Sequence, residues 1–440
     1  MRKMLIILLL AHQLQYAQDK PAVPAYLNLQ SPVFSISMVM MHDVVNPPAA
    51  SRFYTYAMLG AYEIVSQHSG ITPLSGLLKN YSSVRIDAGK KNYDYQIAAI
   101  YSVLEIGKRM LPSGFMLQET QDKYLLTLKK NKIQAAVIKA SVTVSEVVAA
   151  AIVAYAKTDG YEKLSARLHY TALKGEGYWF PTPPAYMEAI EPNWKTIRPM
   201  LIDSCNQFPP DPPVAFNKDS ASAFFALAKE VYDVSKKMTE TQLTIASFWD
   251  CNPFVVSTAG HMMLGFKKIS PGGHWMNIAC IASKKANLDF DRSVLLGTMV
   301  SLTIMDAFIS CWDEKYRSNR IRPETFINRH IDIRWQPLLQ TPPFPEYTSG
   351  HSVVSTASAK ILSYFLGNDF SYTDNSENMF EIPERHFNSF MEAANEAAIS
   401  RLYGGIHYRD AIVDGQREGA LIADNIIQKI SDAGIKPFIQ

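Results

Sequence analysis

Seven residues in the C-terminal third of this 440-residue chain have the types and spacing to hold a small, highly charged anion: Lys315, Arg322, Ser349, Gly350, His351, Arg401 and His407. Lys315 and Arg322 are seven apart, so a continuous helix would carry both on one face. Pro323 is expected to stop that helix, because a proline pushes the residue before it out of the α region. Ser349-Gly350-His351 lead into an apolar, helix-periodic stretch, which places their N–H groups at a helix N-terminus, where the dipole favours anions. Glycine at 350 allows the backbone to approach the anion closely. Arg401 sits at the end of a further helix that Gly404 and Gly405 terminate, with His407 just beyond. Two guanidinium forks and one ammonium point charge suit a tetrahedral oxyanion with two or three negative charges. Each fragment alone is commonplace: such a Lys/Arg pair is usually a solvated helix face, a lone S-G-H a cap, a lone His structural. The joint order carries the reading.

That order, K-x6-R-P, then S-G-H, then S-R-x5-H, resembles the superfamily of vanadium-dependent haloperoxidases and type 2 phosphatidic acid phosphatase (PAP2)-like acid phosphatases, across residues 240–420. The resemblance implies that the seven residues bind vanadate, or phosphate in the same place, with His407 as the ligand to the metal. Two positions depart from the family pattern. Thr348 stands where the proline of P-S-G-H is usual. Ala411 stands four residues after His407, where an Asp is usual, with Asp410 and Asp414 on either side. The partner that orients His407 is therefore open.

The shared motif fits two chemistries. In the phosphatase reading His407 attacks phosphorus, His351 protonates the leaving oxygen, and the cations hold the equatorial oxygens. In the haloperoxidase reading His351 handles protons while hydrogen peroxide and a halide react at bound vanadate to give hypohalous acid. Trp312, three before Lys315, and Phe344, seven before His351, resemble the halide-lining aromatics of the chloroperoxidase-like branch. An apolar wall suits a weakly hydrated halide better than the polar leaving group of a phosphate ester, which favours the haloperoxidase over a secreted or periplasmic acid phosphatase. Asp250, in Phe248-Trp249-Asp250, resembles the family's Asp that orients the acid–base histidine, and is the expected partner of His351. Iodide or bromide is expected ahead of chloride. A non-catalytic binding protein is a third reading, disfavoured because every charged member of the set is present. His261 and His274 lie in Gly-containing segments and are read as structural.

The elements that must position these groups are helical. Residues 97–110, 134–156, 221–237, 291–312, 352–365 and 387–403 repeat apolar residues at i, i+3, i+4 and i+7. Strand signals are few. The expectation is an all-α protein of two packed helical bundles: a signal peptide at 1–17, an N-terminal helical region at 18–213 and a catalytic bundle at 214–440. A proline-dense stretch at 178–213 reads as a linker or lid, and a second at 337–345 as a rigid loop entering Ser-Gly-His. Arg2 and Lys3, the apolar Met4–Ala11 and Ala17 compose the signal sequence, implying export to the periplasm or outside the cell. No other stretch is expected to span a membrane; the best candidate, 294–308, contains Asp306. A net charge of +2 gives no reason to expect nucleic acid. The partners expected are small molecules, with a homo-oligomer open. Cys205, Cys251, Cys280 and Cys311 contain no C-x-x-C, so they read as buried thiols or an unassigned disulfide, not as a zinc site.

Overall fold

The computed structural model describes residues 23–86, 92–183, 186–253, 255–259 and 262–439. The signal segment 1–17 and His261 lie outside them. Among the described residues there are thirteen α-helices: α1 (Gln30–His42), α2 (Pro47–Ser66), α3 (Tyr95–Met110), α4 (Leu117–Lys130), α5 (Ala135–Ala156), α6 (Ala223–Lys236), α7 (Glu240–Phe248), α8 (Pro271–Lys285), α9 (Phe290–Ser318), α10 (Pro323–His330), α11 (Gly350–Leu366), α12 (Phe390–Tyr403) and α13 (Arg409–Asp432). Two short antiparallel hairpins interrupt them, β1 (Val255–Ala259) with β2 (Met262–Phe266) and β3 (Tyr372–Asp374) with β4 (Arg385–Phe387). The fold is all-α.

Local signals start and stop the helices that matter. Asp289 caps α9 by accepting the Arg292 N–H, and Asn319, left-handed at φ 50°, ends it. Ser349 caps α11 by accepting the Ser352 N–H. Asn46 caps α2, whose first two residues are prolines. The helices α2, α3 and α5 pack together in the N-terminal half, and α9, α11, α12 and α13 in the C-terminal half. The two sets share one core, because α2 lies along α9. Every residue of α2 is buried, as is every residue of α9 from Val294 to Lys315. Each apolar side chain so buried adds roughly 1.5–3 kcal/mol of transfer free energy. The α11–α13 crossing is close enough that a Cβ on Gly419 would lie 2.3 Å from the Val353 carbonyl oxygen, so only glycine fits there.

Three expectations are corrected here. The helix bearing Lys315 ends at Ser318, and Arg322 is the extended N-cap of α10, with Pro323 as that helix's first residue. Lys315 and Arg322 are thus not on one helical face; proline starts the second helix rather than merely ending the first. The segment expected to be helical from 387 begins with β4 and turns helical only at Phe390. Among the described residues two stretches, Ala135–Ala166 and α9, are long and apolar enough to cross a membrane by length and composition. The apolar window of α9 is wholly inside the protein, and Asp306 within it accepts the N–H groups of Met200, Leu201 and Ile202 at 2.7–2.9 Å. That carboxylate ties the proline-dense stretch to the core helix. All four cysteines are free thiols.

Candidate active site

The loop 336–349 is where the charges are collected. It has no regular structure, so no ladder pairs its carbonyls, and those that are buried need other donors. Lys315 supplies them: its Nζ donates to the carbonyls of Pro345 and Glu346 at 3.2 Å and of Thr348 at 2.5 Å. Arg322 donates from Nε to the Phe344 carbonyl at 3.0 Å and from Nη1 to the Ile406 carbonyl at 2.7 Å. The same Nη1 lies 3.2 Å from His407 Nε2. Arg401 donates from Nε to Ser400 Oγ at 2.9 Å and from Nη2 to the Trp249 carbonyl at 2.6 Å. The turn that carries His407 depends on Gly405, whose φ of +77° is accessible to glycine at little cost.

Beside these groups lies a cavity of about 50 Å³, lined by Gly350, His351, Arg401 and His407 together with Trp312 and Phe344. Pro47 at the start of α2 completes the wall, so the N-terminal half shapes the site directly. Lys315 and Arg322 are fully buried behind the lining. The two rings meet with centroids 5.0 Å apart, and Phe344 lies between Lys315 Nζ at 5.1 Å and the Arg322 guanidinium carbon at 5.0 Å. The aromatic wall is therefore also a cation–π support for the charges. Trp312 Nε1 donates to the Ile190 carbonyl at 3.2 Å, and Tyr316 donates to the same oxygen. The proline-dense stretch thus acts as a strap that fixes the Trp312 ring.

The partner of His407 is Glu346. Its Oε1 is 2.8 Å from His407 Nδ1, and its Oε2 accepts Arg320 Nε at 2.7 Å. Arg320 in turn forks onto Asp410. Of the two acids flanking position 411, Asp410 thus reaches His407 only through Arg320 and Glu346, while Asp414 accepts the Tyr347 hydroxyl. Ala411 serves through its backbone carbonyl, which accepts the Ser349 N–H at 3.0 Å. Glu346 was not among the residues singled out from the sequence. The available signal was that it is the sole acid in PPFPEYTSGH, three residues before Ser349.

Asp250 lines the same cavity, but among the described residues no hydrogen bond joins it to His351. Its carboxylate pairs with Lys268 at 3.6 Å. His351 instead meets the Trp249 backbone, and its Nε2 is sealed from solvent with no hydrogen-bond partner among the described residues.

Burial lowers the proton affinity of the cations: Lys315 is pulled down to about 8 and Arg322 to about 10. Burial, then the charges of Arg322, Lys315 and Arg401, hold His407 well below the ordinary imidazole range. His351 is lowered likewise by burial and by Arg401 and His407. Both imidazoles are therefore neutral near neutral pH. Glu346 keeps the His407 proton on Nδ1, so Nε2 carries the lone pair, which meets the Arg322 Nη1 donor at 3.2 Å. An electron-pair donor, an unpartnered imidazole nitrogen and clustered cations fit a vanadate or phosphate ion in charge and in donor chemistry.

The family described as the VCPO second helical-bundle domain matches residues 296–433. A crystal structure of the first bacterial vanadium-dependent iodoperoxidase is 42% identical, covers 94% of this chain and 97% of its own, and superposes with a TM-score of 0.85. Holo- and apo-type structures of a bacterial vanadium-dependent chloroperoxidase share 14% identity; they cover 89% and 88% of this chain and 93% and 95% of their own, with TM-scores of 0.66 and 0.67, a likeness of fold alone. No curated protein matches significantly by sequence. The chain belongs to the vanadium-dependent haloperoxidases.

Proposed function

We propose that the protein holds vanadate and oxidises halide, iodide foremost, with hydrogen peroxide to hypohalous acid. The observation that carries this reading is His407, its Nδ1 held by Glu346 so that Nε2 keeps its lone pair, lining one cavity with Arg401 and the paired rings of Trp312 and Phe344. Resemblance over nearly the whole chain to an iodoperoxidase supports iodide over the other halides. Bound vanadate would supply the Lewis-acidic centre that makes peroxide an electrophilic oxygen donor. His407 would bind it through Nε2. Arg401 would neutralise its oxygens, with Lys315 and Arg322, their donors already engaged by backbone carbonyls, adding charge from behind. Neutral His351 would take a proton from incoming peroxide and return it to the departing oxygen. Trp312 and Phe344 would keep water from the halide, whose weak hydration makes an apolar wall inexpensive.

The test is a paired assay on one preparation, iodide oxidation and aryl phosphate hydrolysis, with and without vanadate. Iodide oxidation that appears only with vanadate supports the proposal. Phosphate hydrolysis inhibited by vanadate, with no halide oxidation, would replace it by the acid phosphatase reading. We also propose, from the N-terminal sequence alone, that residues 1–17 direct export. Finding the mature N-terminus at Met1 in secreting cells would contradict this.

A further inference from the structure

Beside the oxyanion cavity, three side chains from distant parts of the chain converge in the interior: Cys251 in the loop after α7, His274 in the first turn of α8, and Glu377 between β3 and β4. Their Sγ, imidazole nitrogen and carboxylate oxygen all lie within 4.8 Å of one another, and all three residues are buried. His274 Nε2 is 2.7 Å from Asp374 Oδ2, which leaves Nδ1 as the inward-facing nitrogen. Nδ1 is 3.5 Å from Cys251 Sγ and 3.4 Å from Glu377 Oε1. In a tetrahedral zinc site with ordinary bond lengths, sulfur and nitrogen ligands are about 3.6 Å apart, and nitrogen and oxygen ligands about 3.4 Å. The two separations from His274 Nδ1 already match those of a ligand set.

Glu377 supplies the independent observation. It is 1% exposed, and neither of its carboxylate oxygens has a hydrogen-bond partner among the described residues. Burying a carboxylate without donors is costly, by several kcal/mol for an isolated charge, unless a cation meets it. Two buried carboxylates, Asp374 and Glu377, and one thiol share a single imidazole. We infer that Cys251, His274 and Glu377 bind a divalent ion of the zinc class, with Asp374 orienting His274 from behind as carboxylates do at histidine–metal sites.

The location gives the ion a task. The Trp249 ring stacks on His274 at 4.6 Å with planes 20° apart, and the Trp249 carbonyl is the acceptor that holds Arg401. Cys251 itself reaches the wall of the oxyanion cavity. An ion here pins the loop 249–251 against α8 and so holds Arg401 in place. It is separate from the vanadate position, and its test is independent of halide oxidation.

The full-length protein, stripped by a chelator and dialysed against Zn²⁺, is analysed for metal by elemental analysis and by thermal denaturation. The expectation is one zinc per chain and a higher melting temperature with zinc than without. Glu377→Gln should weaken zinc binding at least tenfold, whereas Cys280→Ser should leave it unchanged. Substitution with Co²⁺ should give a thiolate-to-cobalt charge-transfer band in the near ultraviolet, lost in Cys251→Ser. Should either variant fold poorly, the cobalt spectrum of the wild type decides. No stoichiometric zinc, no thiolate band, or zinc retained equally by both ligand variants would overturn the inference and leave a network in which Glu377 is protonated.

Discussion

Glu346 Oε1 lies 2.8 Å from His407 Nδ1, and this single contact decides which nitrogen of His407 carries the proton. The same carboxylate accepts the Tyr408 N–H at 3.0 Å and pairs with Arg320, so it cannot swing away without breaking two further bonds. A residue outside the recognisable motif thus sets the tautomer of the residue at its centre.

Replacing this carboxylate should weaken the site without unfolding it. Glu346→Gln keeps the shape but removes the charge that holds the Nδ1 proton. Loss of such a partner typically costs about 10–100-fold in metal affinity or activity. Calorimetric titration with vanadate should show a loss of that size; unchanged affinity would refute the assigned role.

Oxyanion affinity should fall above about pH 8. Burial holds Lys315 near 8 in the folded protein, below its ordinary 10.5, so its charge is lost as pH rises through that value. For the anion-free protein the sign is opposite. The unfolded chain binds the extra proton between about 8 and 10.5, so this residue makes folding more favourable as pH rises through that window. Lys315→Met should remove both trends. Phosphate, overwhelmingly the dianion from pH 8 upward, is the probe for titrations over that range, with urea denaturation reporting stability.

The aromatic wall should matter to the cations as well as to the halide. Phe344→Ala removes a ring that contacts both Lys315 and Arg322. Cation–π contacts of this partly desolvated kind are worth about 1–2 kcal/mol, so phosphate binding should weaken roughly 5–30-fold. Equal affinity for wild type and variant would reduce Phe344 to a halide-facing surface only.

Asp306→Ala should destabilise the fold rather than the chemistry. Three backbone N–H groups, of Met200, Leu201 and Ile202, lose their buried acceptor. The expected loss is about 3 kcal/mol in chemical denaturation. Because the strap that fixes Trp312 runs just upstream, increased proteolysis between residues 180 and 200 should accompany it.

The sequence alone determined the helices and the roster of charges. Apolar periodicity is a local property, so α3, α5, α9, α11 and α12 could be read from it, as could the capping role of Ser349 and the stop at Gly404-Gly405. Motif order assembled Lys315, Arg322, His351, Arg401 and His407 into one site, because each motif holds its residues at short, fixed spacing. Tertiary structure alone decided how they are held. Lys315 and Arg322 meet through a turn and a loop of inward carbonyls rather than along a helix face, and nothing in a seven-residue spacing distinguishes these. Glu346 replaces the absent acid at 411 because the loop folds back over His407. Asp250 turns to Lys268 because that charge is closer in space than in sequence. Cys251, His274 and Glu377 carry no spacing signal at all: each lies on a different element, and only the packing of α8 against the hairpin β3–β4 brings them together. Local order is written residue by residue, whereas electrostatic partnership depends on which distant segments the core presses into contact.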